Sequence, residues 1–127
     1  MGTRSLTKVI DNDRPIACMY RQMDGSMDGH GRDLFEFLKD ISVVNGMSLA
    51  EKRIIANGMD CLAAQLIAHF KDGAGGIYLQ HPDTEDVGEE YIYEIEDVNG
   101  EIIVTVTDTY EKKEIFKGTP WEMFVKI

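Results

Sequence analysis

The sequence predicts a single α+β domain, residues 1–127, in which two or three helices pack on one face of a mostly antiparallel sheet. Strand and helix patterns follow one another in the order ββααββββ, without the regular alternation that is typical of a parallel α/β fold. One strong amphipathic helix pattern covers residues 59–70, and one strong hairpin signal is Asn99-Gly100. The hydrophobic fraction of 43% over 127 residues is enough for one core without disulfide bonds.

The first half begins with a predicted hairpin. Residues 3–10 and 16–22 are rich in strand-forming side chains, and the turn residues 11–15, Asp-Asn-Asp-Arg-Pro, separate them. A glycine-rich segment, residues 21–32, comes next. Apolar side chains then recur at helical spacing over residues 31–41, with charged side chains on the other side, which predicts a short amphipathic helix.

The middle of the chain predicts a second helical region. Ser48 and Glu51 stand three residues apart before an apolar run, so a capping box predicts a helix that begins near Leu49. Asn57-Gly58 then predicts a break. Residues 59–70 have one apolar side and a second side of small residues, which predicts a central helix packed on both sides, and the glycines after it end the helix.

The second half predicts β structure. Its strand-like runs are residues 77–80, 91–96, 102–107 and 114–117, and an aromatic tail, residues 121–127, ends the sequence. Asn99-Gly100 joins the second and third of these runs as a two-residue hairpin. The β-branched run 102–107 leaves an edge suited to pairing with a second copy, so we expect that homo-oligomers can form.

The net charge is −10, and the charges are unevenly distributed. An acidic chain repels the phosphate backbone of nucleic acids, which disfavours general DNA or RNA binding. The exception would be DNA mimicry, in which an acidic surface competes for a nucleic-acid-binding partner. Every arginine falls within the first 53 residues, at Arg4, Arg14, Arg21, Arg32 and Arg53. Such a cluster in an acidic protein indicates a small local anion site, and pairing of the arginines with nearby carboxylates is the alternative.

Other sequence features limit the class of protein. No apolar run approaches the roughly 20 residues of a membrane helix, and the first residues lack the apolar core of a signal peptide. Cys18 and Cys61 form no CxxC motif, so we expect buried, reduced thiols. Together these features lead us to expect a cytoplasmic protein with no membrane partner.

The glycine-rich segment between the second strand and the first helix is the best candidate for a site. Backbone N–H groups of Gly29 and Gly31 at a helix start favour phosphate or carboxylate. Arginine and histidine side chains would add charge-assisted hydrogen bonds, and a tyrosine at the strand end would stack on a base. The candidate ligand-binding residues are Arg4, Tyr20, Arg21, Gly29, His30, Gly31 and Arg32.

A metal site and catalysis are less favoured. The run Asp24-x-Ser26-x-Asp28-Gly29 matches the start of a calcium loop, but Arg32 and Phe35 occupy its ninth and twelfth positions, where oxygen ligands are needed. The sequence contains no HExxH, CxxC or phosphate-binding P-loop motif. We therefore expect no metal, no cofactor and no catalytic residues, with a nucleotide hydrolase as an open alternative.

Five segments carry a resemblance to known sequences. They are MGTRSLTKV at residues 1–9, MYRQMDG at 19–25, GHG at 29–31, NGMDCLAAQLIAHF at 57–70 and GGIYL at 75–79. The chain resembles a family of uncharacterised phage and bacterial proteins, over most of residues 1–95. The family has no known activity to carry over. The resemblance implies a phage context, in which a protein in the host cytoplasm acts on the host.

These observations lead to one expected function and two alternatives. We expect a small protein that binds an anionic, nucleotide-like molecule without turning it over, as in sequestration of a host immune signal. The first alternative is an acidic protein–protein inhibitor of a host defence factor, which would act through residues 54–127, where fifteen of the 23 acidic residues lie. The second is the nucleotide hydrolase.

Overall fold

The computed structural model describes residues 2–48, 51 and 54–127. The strands are β1 (Ser5–Asp11), β2 (Arg14–Arg21), β3 (Ser42–Val44), β4 (Ile55–Asn57), β5 (Ile77–Gln80), β6 (Tyr91–Val98), β7 (Glu101–Asp108) and β8 (Lys113–Gly118). The helices are α1 (Arg32–Leu38), α2 (Met59–Phe70) and α3 (Pro120–Lys126). A π-helical turn, Met27–Gly31, leads directly into α1. None of the described helices is long and apolar enough to span a membrane.

Six strands form one sheet in the order β5-β2-β1-β6-β7-β8. All neighbours are antiparallel except β1 and β6, which run parallel with Ser5 opposite Tyr91. A parallel pair needs a long crossover connection, and the chain between β1 and β6 supplies it with α1 and α2. The α+β class and the approximate element order predicted from the sequence are confirmed.

Both predicted hairpins are present. Asn12 and Asp13 join β1 to β2 with φ angles of 52° and 64°. Asn99 and Gly100 join β6 to β7 with φ angles of 54° and 86°. Two successive left-handed residues match the twist of the flanking strands, which is why Asn, Asp and Gly favour these turns.

The helices cover one face of the sheet, and the core lies between them. Register places alternate residues of the four inner strands on this face, where they are buried: Val9, Met19, Tyr93, Ile95, Val104 and Val106. The helices contribute Leu34 and Leu38 from α1, Leu62 and Leu66 from α2, and Met123 from α3. The apolar side of α2 is buried as expected, but Ala64 and Ala68 are exposed, so the prediction that α2 packs on both sides is wrong.

Two segments differ from the sequence-based expectation. The helix predicted from near Leu49 falls partly on residues 49, 50, 52 and 53, which lie outside the described residues, and Ile55–Asn57 is a strand. This strand pairs parallel with β3, since β-branched side chains in both segments favour extended backbone. The aromatic tail is the helix α3, which begins with a capping box between Thr119 and Glu122.

Residues 81–90 follow β5 and lead into β6. Leu6 and Cys18 are fully buried although they point away from the helices. Burial raises the pKa of the Cys18 thiol to about 11; nearby Lys8 opposes this rise and Glu89 adds to it. The Glu89 carboxylate accepts hydrogen bonds from backbone N–H groups of Asp86 and Val87, which holds the segment in shape.

Candidate functional site

Arg21 ends β2 and points to the helix side of the sheet, opposite Ser5 and Ile77. Its Nε donates to the Met23 carbonyl at 2.7 Å. Its Nη1 donates to His30 Nδ1 at 3.0 Å and to Asp33 Oδ2 at 2.9 Å. Three bonds therefore fix the guanidinium plane, while Nη2 makes no hydrogen bond to any residue that the structure describes.

His30 lies fully buried behind Arg21. Its Nε2 is 2.6 Å from Thr7 Oγ1, and its ring packs against Phe70 and Tyr93 at centroid distances of 5.2 and 4.8 Å. Arginine has only donors, so Nδ1 must accept from Arg21 and the ring proton lies on Nε2, donated to Thr7. Burial, reinforced by the charge of Arg21, lowers the pKa of His30 to about 3. His30 is therefore neutral and positions Arg21, rather than adding a positive charge as the sequence suggested.

The backbone N–H groups expected to bind an anion are used within the π-helical turn. Gly29 and Gly31 donate to the Ser26 carbonyl at 3.0 and 3.3 Å, and His30 donates to the Asp24 carbonyl at 2.7 Å. A Cβ on Gly29 would lie 2.5 Å from that Asp24 oxygen. Gly29 thus allows the turn to close tightly, and its amide does not face a ligand site.

Tyr20 does not accompany Arg21, although the two are adjacent in the chain. Successive side chains of a strand point to opposite faces, so Tyr20 lies on the other side of the sheet, opposite Leu6 and Tyr78. Its hydroxyl donates to Gln22 Oε1 at 2.8 Å. The proposed clamp of tyrosine and arginine at one site is not formed.

The other two arginines of the predicted set also lie apart from Arg21. Arg4 precedes β1, and its guanidinium lies against Gly88, where an added Cβ would be 2.9 Å from Nη1. Its Nε is buried and has no hydrogen-bond partner among the described residues. Arg32 is exposed on α1, with its guanidinium carbon 5.8 Å from the ring centroid of Phe124 in α3.

Arg21 lines a surface cleft with a volume of about 450 Å³. Its walls come from β2, α1, the end of α2 and the glycine-rich loop before β5: Arg21, Met23, Asp33, Glu36, His69, Phe70, Asp72, Gly75, Gly76 and Ile77. We call it the Arg21 cleft. The sequence pointed to Arg21 but not to the walls from residues 69–77, since only the pairing of β2 with β5 brings them beside it.

Aromatic rings line one part of the Arg21 cleft. Phe70 lies 6.0 Å from the Arg21 guanidinium carbon and 5.0 Å from the His69 ring centroid. The His69 ring also packs on Phe37 at 4.8 Å, and His69 is exposed. The cleft thus combines one fixed guanidinium with flat apolar surface, two features that suit a planar ligand with an anionic group.

The fold and the cleft define an α+β domain with a single arginine held at a ligand-sized surface cleft. Comparison with protein-family models, with curated proteins and with solved structures finds no match to this chain. Among the described residues, no group of three or more His, Cys, Asp or Glu side chains is placed to hold a metal ion.

Proposed function

We propose that this protein binds a small anionic, nucleotide-like molecule in the Arg21 cleft without turning it over. The observation that carries the proposal is the fixed guanidinium of Arg21, whose Nε and Nη1 are bonded to the protein while Nη2 is left for a ligand oxygen. A preorganised donor loses little conformational freedom on binding, so most of its interaction energy appears as affinity. In a phage context, such binding would sequester a nucleotide signal of the host.

The size and lining of the cleft support a nucleotide-like ligand. About 450 Å³ lies within the range typical of small-molecule sites. Phe70 and His69 offer ring surface for a nucleobase, and base–aromatic stacking contributes on the order of 1–3 kcal/mol per base. The described residues around Arg21 do not include an activated nucleophile or a general base paired with one, so binding without turnover is the simpler proposal.

A second candidate is a protein–protein inhibitor, and exposed apolar side chains favour it. Val125 and Trp121 on α3 are 80% and 57% exposed, and Tyr110 in the turn between β7 and β8 is 93% exposed. None of these three side chains lines the Arg21 cleft. Binding of a host protein through them would be unaffected by changes at Arg21.

The proposal is tested by a thermal-shift screen with nucleosides, cyclic nucleotides and nucleoside mono-, di- and triphosphates. A ligand that binds the folded protein raises the melting temperature. We expect Arg21→Ala to abolish the shift, and the matched control Arg32→Ala, which removes an exposed arginine outside the cleft, to keep it. Circular dichroism verifies that both variants are folded.

Three outcomes separate the proposal from its alternatives. No shift with any compound argues against nucleotide binding, and a protein partner retained by Arg21→Ala then favours the inhibitor. Equal loss of the shift in both variants removes the assignment to the Arg21 cleft. Chromatography of the nucleotide after incubation with the protein shows whether it is hydrolysed, which would replace binding by catalysis.

A further inference from the structure

We propose that the Arg21 cleft selects nucleotide-like ligands with a single negative charge and discriminates against polyphosphates. This inference rests on the proposed function, because it names the charge class of the ligand at the same site. It follows from three features of the cleft: its surplus of carboxylates, the small number of donors left on Arg21, and the neutral state of His30.

Carboxylates outnumber positive groups around the cleft. Asp33, Glu36 and Asp72 line it, while Arg21 is the only arginine or lysine that does so among the described residues. Asp33 is paired with Arg21, and Glu36 is paired with Lys39 at 2.9 Å. Asp72 has neither a hydrogen bond nor an ion pair with any described residue. A further negative charge on a ligand would therefore lie in the same cleft as the unbalanced carboxylate of Asp72.

Lys71, the residue directly after α2, is hydrogen-bonded to backbone carbonyls rather than to Asp72. Lys71 Nζ donates to the carbonyls of Gly75 and Ile77 at 3.1 and 2.8 Å, and it lies 5.5 Å from the ring centroid of Tyr78. Tyr78 pairs in register with Tyr20, on the sheet face opposite Arg21. Lys71 therefore stabilises the loop between α2 and β5 and does not balance the charge of Asp72.

Arg21 can meet one anionic group but not several. Both N–H bonds of Nη1 and the N–H of Nε are already donated within the protein, so only the two N–H bonds of Nη2 are left for a ligand. His30 cannot add a second positive charge, because it is fully buried and bonded through both ring nitrogens to Thr7 and Arg21. A chain of phosphates would extend past Arg21 toward carboxylates.

The unused carboxylate oxygens suit the N–H groups of a base. Asp72 offers two oxygens, and Asp33 Oδ1 and Glu36 Oε1 make no hydrogen bond to the described residues. A carboxylate that accepts two parallel N–H bonds gives a directional, charge-assisted contact. Guanine presents such a pair on its ring and amino nitrogens. A guanine base near Phe70, with one phosphate oxygen on Arg21, would use both kinds of group.

The test is a calorimetric titration of the protein with four compounds that share one base and differ in charge: guanosine, cyclic guanosine monophosphate, guanosine monophosphate and guanosine triphosphate. We expect the cyclic monophosphate to bind most tightly and the triphosphate at least about tenfold more weakly, since like charges a few ångströms apart repel each other. Guanosine binds more weakly than the cyclic compound because it leaves Arg21 Nη2 without an acceptor.

Variants identify the cause of this order. Asp72→Asn should reduce the ratio of the affinities for the cyclic monophosphate and the triphosphate at least about threefold. Glu111→Gln makes the same charge change in the exposed turn between β7 and β8 and should leave this ratio unchanged. A triphosphate that binds as tightly as the cyclic compound overturns the inference while the proposed function stands. If Asp72→Asn leaves the affinity ratio unchanged, the carboxylates do not cause the discrimination against the triphosphate. Absence of binding by all four guanine compounds overturns this inference, whereas the proposed function fails only if the wider thermal-shift panel also shows no ligand.

Discussion

The burial of neutral His30 should make the protein lose stability in mild acid. Its pKa is about 3 in the folded state and 6.5 for an unperturbed histidine, because burial, with a smaller contribution from Arg21, disfavours the charged ring. Between these two values the unfolded state binds a proton and the folded state does not. The free energy of unfolding therefore falls as the pH falls through 6.5, and the loss ends only near pH 3.

The expected size follows from the two pKa values. Between pH 6 and pH 4, linkage to one such histidine lowers the free energy of unfolding by about 2.5 kcal/mol. The measurement is urea denaturation of the wild type and of His30→Gln at both pH values. Glutamine can accept from Arg21 and donate to Thr7 without a charge that depends on pH, so this variant should lose about 2.5 kcal/mol less than the wild type over the interval.

Comparison of variants removes the contribution of the carboxylates, which titrate in both proteins. His81→Gln is the matched control. The His81 side chain is 74% exposed, so this substitution should leave the pH dependence of the free energy of unfolding unchanged. If the wild type and His30→Gln lose stability equally between pH 6 and pH 4, the reasoning from burial and tautomer is wrong.

Three further expectations concern the turn, the last helix and the thiols. Gly29→Ala should lower the free energy of unfolding, measured by urea denaturation, by about 2 kcal/mol, because the added Cβ would clash with a backbone oxygen. Gly31→Ala should change it by less than about 1 kcal/mol, because a Cβ at this position has ordinary contacts of 3.4 Å or more. Equal effects of the two variants would contradict this difference in packing. Thr119→Ala should cost about 1 kcal/mol through loss of the N-cap of α3, and Thr119→Ser should retain most of that stability. With an aromatic disulfide reagent at neutral pH, half-buried Cys61 should react at least about tenfold faster than Cys18, whose pKa is raised to about 11; equal rates would show that Cys18 is accessible.

The elements predicted best are those defined by neighbouring residues. Asp-Asn-Asp-Arg-Pro and Asn99-Gly100 encode their hairpins locally, and the apolar spacing of residues 59–70 encodes α2. The parallel contact of β1 with β6 could not be predicted in this way, because Ser5 and Tyr91 meet only after the intervening chain has folded. The helix α3 does have a local signal, since Thr119, Pro120 and Glu122 form a standard capping sequence, but the aromatic residues that follow obscured it.

The candidate site was predictable in part. The glycine-rich segment contains Arg21 and His30, which are in contact in the structure, and the alternative of pairing with a nearby carboxylate is realised by Asp33. The two-residue period of a strand is sufficient by itself to place Tyr20 and Arg21 on opposite faces of the sheet. The cleft walls at Phe70 and Asp72 could not have been inferred, since sequence periodicity does not specify which helix end lies beside which strand end.

The central position of β1 has a consequence for how the chain reaches its native state. β1 is synthesised well before its neighbour β6, which begins at Tyr91, so one side of β1 stays unpaired until β6 is available. Contacts between residues so distant in sequence slow folding, and domains of mixed α/β type rich in such contacts typically need milliseconds or longer. During synthesis on a ribosome, the β1 edge of the β1–β2 hairpin would remain unpaired until β6 is synthesised. Chains truncated before Tyr91 are therefore expected to aggregate, while a chain that includes β6 closes that edge with its own later strand.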